Sequence, residues 1–74
     1  MKVVKVFKTD VQDGVTAGYI IFLLQQRFSN CRINFDLDDC DKILRMESRQ
    51  ESIEETQIQL LIAGCGYYCE PLQD

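Results

Sequence analysis

The residues best suited to chemistry are Asp10 and Asp13, three apart after a short apolar stretch, and the run Asp38-Asp39-Cys40-Asp41. Carboxylate oxygens are what a hard cation such as Ca²⁺ or Mg²⁺ requires, and cysteine would add a softer ligand. One reading is therefore a weak divalent-cation site drawn from Asp10, Asp13, Cys40 and Cys65. The plainer reading is a helix N-cap beside a solvated acidic turn. It is favoured because no spacing matches an EF-hand loop and the two groups of aspartates lie on separate connections. Cys31, Cys40, Cys65 and Cys69 contain no Cys-x-x-Cys pair, and histidine is absent. A structural zinc site needs four converging ligands, so Cys31, Cys65 and Cys69 are expected to act as small buried hydrophobes. Cys40, between aspartates in a turn, is expected to be exposed, with its thiolate disfavoured by the neighbouring carboxylates. Without histidine, a general base near neutral pH would need a strongly shifted carboxylate, lysine or thiol. No nucleophile–base pairing is visible, so the chain reads as a non-enzyme with no catalytic residues and no bound cofactor.

At 74 residues, 46% of them apolar, the chain is expected to form one domain over residues 1–74 around a single core. Twelve acidic against eight basic side chains leave a net charge of −4. Lys2, Lys5 and Lys8 alternate along one stretch and no basic block exists, so nucleic acid and anionic membrane surfaces are poor candidate partners. The longest apolar run, Tyr19 to Leu24, falls far short of the roughly twenty residues a membrane span needs. Neither a secretory signal nor a lipidation motif is visible. The expected location is the cytoplasm, with reduced thiols.

Periodicity supplies the elements that would position these residues. Val3 to Thr9 reads as a strand. Asp13 is a good N-cap for a helix whose Ala17, Ile20, Ile21, Leu24 and Phe28 share one face. Cys31, Ile33, Phe35 and Leu37 alternate with polar residues in a half-buried strand. Lys42 to Ser48 returns antiparallel after the acidic turn. Ser52-Ile53-Glu54-Glu55 matches a capping box for a helix that buries Ile58, Leu61, Ile62 and Cys65 and stops at Gly66. Tyr67 to Leu72 is a last strand, with Pro71 suited to an edge. The order βαββαβ predicts an α+β, ferredoxin-like domain: a four-stranded antiparallel sheet with both helices on one face. Thr9–Gly14, Asp38–Asp41 and Cys65-Gly66 would then share one end.

Val4-Lys5-Val6-Phe7, the following loop and helix, Ile33-Asn34-Phe35-Asp36-Leu37, the hairpin, and Ala63-Gly64-Cys65-Gly66-Tyr67 together resemble the heavy-metal-associated domain of small copper chaperones and metal-transporting ATPases. The resemblance covers nearly the whole chain and rests on element order and patterning. It implies the ferredoxin-like fold. The family's metal motif, Gly-Met-x-Cys-x-x-Cys, falls here on Asp10, Val11, Asp13 and Thr16, so both thiolate positions are empty. Linear Cu(I) coordination by two sulfurs is lost, and the metal site is degenerate.

The remaining signal is apolar excess. Tyr19 and Phe22 project from the outer side of the first helix, with Leu23 at its margin, which is more than a monomer needs. Those three residues are candidates for a contact surface with a second copy of the chain or with another protein. The uncovered sheet face is a second candidate. One alternation of the strands would place Val3, Phe7, Ile43 and Tyr68 there among Lys5, Arg45, Glu47 and Glu70, although Val3/Phe7 and Val4/Val6 are both plausible inward sets.

Overall fold

Val3, Val4, Val6 and Phe7 are β-branched or aromatic and favour extended backbone, and Val3–Thr9 forms β1. In the computed structural model, which describes residues 2–49 and 52–72, β1 is followed by α1 (Gly14–Arg27), β2 (Cys31–Asp36), β3 (Ile43–Ser48), α2 (Glu55–Gly64) and β4 (Cys69–Leu72). The strands form one sheet in the order β2-β3-β1-β4, and every pairing is antiparallel. Each helix carries the chain past one intervening strand, and right-handed crossovers place both on the same side. This is the α+β, ferredoxin-like βαββαβ arrangement that the patterning predicts. Pro71 lies in β4, an edge strand, where its missing N–H leaves no ladder bond unmade.

Pairing register decides which side chains face the helices. Phe7 stands opposite Leu44, Lys5 opposite Met46 and Val3 opposite Ser48. Leu44 also faces Phe35, and Met46 faces Ile33. Phe7, Leu44 and Met46 are fully buried and pack with Val11, Ala17, Ile20, Leu24, Ile58 and Ile62. The inward set of β1 is therefore Val3, Phe7 and Thr9, and placing Val3 and Phe7 on the open face is incorrect. Period-two alternation requires Val4, Val6 and Lys8 to turn outward together. Lys5 belongs to the inward row as well. Its ammonium reaches past the edge of the core to Glu55 in the first turn of α2, 3.7 Å away, where a carboxylate is favoured by the helix dipole.

The helix ends follow local chemistry with one exception. Asp13 caps α1 by accepting the Thr16 backbone N–H at 3.2 Å. At the end of α2, Gly66 N–H donates to Ala63 O at 2.9 Å and Tyr67 N–H to Ile62 O at 3.2 Å, the paired bonds of a Schellman motif. The Ser52–Glu55 capping box does not form. The helix starts at Glu55 with Glu54 as N-cap and no side-chain cap bond. Ile53 is instead buried, and with buried Ile58 it occupies the N′ and N4 positions of a hydrophobic staple. Burying that isoleucine outweighs a cap worth about 1 kcal/mol.

The Schellman glycine has φ +91° with open space where a Cβ would stand. The cost of a side chain there is thus backbone strain rather than a clash. Gly66→Ala is expected to destabilise the domain by about 1–2 kcal/mol, measured by urea denaturation. An unchanged midpoint would show that the helix end does not depend on the left-handed residue.

Candidate functional site

Thr9 positions the end of the sheet where function would sit. It is buried, and its backbone N–H donates to Asp41 O at 3.2 Å. Its hydroxyl donates to Lys42 O at 2.6 Å and accepts the Val11 N–H at 3.3 Å. One residue thereby ties the β1–α1 connection to the β2–β3 turn. Asp10 adds the third connection, its Oδ1 accepting the Tyr68 N–H at 2.7 Å. The three connections thus share one end, as topology demands.

The carboxylates at this end are largely occupied. Asp13 is pulled below the usual carboxylate range by its bonds to Thr16, which favour the charged form. Asp10 is committed to Tyr68. In the turn, Asp36 Oδ1 accepts Asp38 N–H at 3.2 Å and Asp39 Oδ1 accepts Asp41 N–H at 2.8 Å. Lys42 sits at φ 48°, and its ammonium donates to Leu37 O at 2.9 Å. These local bonds are the Asx turns that make aspartate favourable in such connections.

Asp39, Cys40 and Asp41 bring ligand atoms within 4.8 Å of one another. Asp10, Asp13 and Cys65 lie outside that group. Two carboxylates and one thiol offer fewer oxygens than the six to eight that Ca²⁺ takes, and Lys8 Nζ stands 3.6 Å from Asp41 Oδ1, competing with any cation. Cys40 is exposed, Cys69 is buried, and Cys31 and Cys65 are half-buried against the core. Burial pushes the Cys69 thiol up to about 12, which makes it an inert packing residue.

The outer face of α1 is the other candidate. Tyr19 and Phe22 are each 59% exposed, and Val15, on the same stripe at i, i+4 and i+7, is 85% exposed. Leu23 is half-buried at the margin of this stripe. Beside it, Val15, Thr16, Tyr19 and Ile20 face Gly64, Cys65 and Tyr67 across a groove of about 500 Å³ between the start of α1 and the end of α2. Leu60, 67% exposed, extends the apolar surface on α2. The sequence reading misses Val15 and Leu60, although each is a hydrophobe off the buried stripe of its helix, the same signal that singles out Tyr19 and Phe22. Thr9 carried no such signal, because a strand-end threonine looks the same whether its hydroxyl meets solvent or a neighbouring loop.

Comparison with protein-family models, curated protein sequences and solved structures finds no match to this chain. No helix among the described residues is long and apolar enough to cross a membrane.

Thr9→Val keeps the shape but removes the hydroxyl, leaving Lys42 O and Val11 N–H without that partner. It is expected to cost about 1–3 kcal/mol, with Thr9→Ser retaining most of the stability. Equal denaturation midpoints for the valine and serine variants would remove Thr9 from this role.

Proposed function

We propose that the chain is a small, non-enzymatic, cytoplasmic module with a heavy-metal-associated-like fold and a degenerate metal site, acting through protein contacts made by the outer face of α1. The observation that carries this reading is the stripe Val15, Tyr19 and Phe22, exposed on a helix whose opposite face already fills the core. A hydrophobic helix face outside the core is a common basis for protein recognition. Two aromatics one turn apart supply the type of anchor that dominates interface energies. The degenerate-site part rests on Asp13 and Thr16 standing where thiolates would be needed, with Asp13 already serving as the helix cap.

Sedimentation of the reduced protein over a wide concentration range, paired with affinity capture from cytosol, tests the contact surface. Self-association or a captured partner is expected, weakened about tenfold or more by Tyr19→Ser with Phe22→Ser. A strictly monomeric chain that retains nothing would end the reading.

One observation favours a second reading, a weak cation carrier: the convergence of Asp39, Cys40 and Asp41. On that reading, Ca²⁺, Zn²⁺ or Cu(I) shifts the amide resonances of residues 38–42 saturably, and Cys40→Ser with Asp39→Asn abolishes the response. Unchanged spectra at saturating metal would eliminate it.

A further inference from the structure

Basic side chains that are scattered in the sequence converge on the open face of the sheet. Arg32 stands opposite Glu47 in the β2–β3 register. Arg45 lies two residues before Glu47 in β3 and projects from the same face, and Arg49, just past the end of β3, lines a concavity with Arg32 and Glu47. Lys2 Nζ approaches Glu47 Oε1 at 3.7 Å and Arg45 Nη2 approaches the same oxygen at 3.2 Å. Four cations therefore surround one carboxylate, in a chain of net charge −4. That carboxylate is already shared by Lys2 and Arg45. Arg32 and Arg49 are both exposed and form no ion pair with any described residue. With Asn30 and Glu47 they line a concavity of about 400 Å³, at the end of the sheet opposite the acidic connections.

Four cations face one carboxylate at this corner, and the charge that Glu47 leaves uncompensated favours an anion there. We infer that the corner formed by Asn30, Arg32, Glu47 and Arg49 binds a phosphate monoester or diphosphate of a small molecule. Guanidinium groups present paired donors that match phosphate oxygens bidentately, which ammonium groups do not. The excess of positive charge, with Glu47 inside it, selects a dianion over a monocarboxylate. The volume lies within the range of small-ligand sites. No aromatic side chain among the described residues lines the corner, so nucleobases find no stacking platform there of the kind that supports single-strand binding. Tyr68, an aromatic residue that precedes β4, lies at the other end of the sheet, where its backbone is held by Asp10 and its hydroxyl donates to Glu70.

The test is an amide and arginine side-chain NMR titration with pyrophosphate and with phosphoserine at constant ionic strength, balanced with NaCl. Saturable shifts are expected at Asn30, Arg32, Glu47 and Arg49, with Kd on the order of 1 mM or tighter. Arg32→Gln with Arg49→Gln should weaken binding by about tenfold or more, Arg32→Lys with Arg49→Lys by less, and Arg27→Gln on α1 not at all. These substitutions are at exposed positions, and retained resonance dispersion elsewhere verifies the fold. Absence of saturable shifts, or shifts that survive the double glutamine variant, would overturn the proposal. Equal affinity for acetate would overturn the phosphate assignment. A short oligothymidylate that binds more tightly than pyrophosphate would overturn it in favour of nucleic acid.

Discussion

The end of the sheet where three connections meet depends on one buried hydroxyl. Thr9 lies at the last position of β1 in register with Cys69, and its donor and acceptor bonds run to different loops. A buried hydroxyl must be paired or the group costs more than its net contribution when satisfied. The β1–α1 connection and the acidic turn therefore hold their positions together. Asp10 then fastens the chain leaving α2 to the same cluster. The carboxylates here sit at the topological position where chemistry is expected, yet several of their oxygens are already consumed in holding backbone.

The second constraint is parity along β1. Once Phe7 turns inward to meet Leu44, pleat geometry fixes every other outward residue of the sheet. Val4, Val6 and Lys8 go to the open face, along with Arg32, Arg45 and Glu47 from the neighbouring strands. Lys2, Lys8, Arg32, Arg45 and Arg49, five of the eight basic residues, thus gather on or beside one surface, while Asp38, Asp39 and Asp41 occupy the turn at one end. A chain without any basic run in its sequence acquires a basic corner through strand pairing. Linear spacing cannot show this, because residues fifteen or more apart become neighbours only when the register is known.

Much of the architecture was legible because it rests on local or periodic terms. The amphipathic face of α1, the Asp13 cap, the Gly66 stop, the edge proline and the βαββαβ order all follow from short-range patterns. What was hidden depended on competition between distant groups. The capping box at Ser52 is a sound local signal, but it lost to burial of Ile53 in a core assembled from every other element. The inward face of β1 was ambiguous because both of its alternations carry valines, and only pairing with Leu44 and Met46 distinguishes them. At the candidate sites, the exposure of Tyr19 and Phe22 and the marginal place of half-buried Leu23 follow from helical spacing alone. The gathering of Asp39 with Cys40 and Asp41, to the exclusion of Asp10, Asp13 and Cys65, required the turn geometry.

A side chain is informative about function to the extent that folding leaves it unused. Asp10 and Asp13 look suggestive in sequence, but each already has a structural partner, and removing either would disturb a backbone contact before any ligand was considered. Tyr19 and Phe22 differ, because the core beneath α1 is complete without them and their exposure carries a solubility cost that folding does not repay. Arg32 and Arg49 differ in a related way, since the one carboxylate among them, Glu47, is already shared by Lys2 and Arg45. On that physical criterion, the outer helix face and the basic corner, on opposite sides of the sheet, are better candidates for function than the acidic loops.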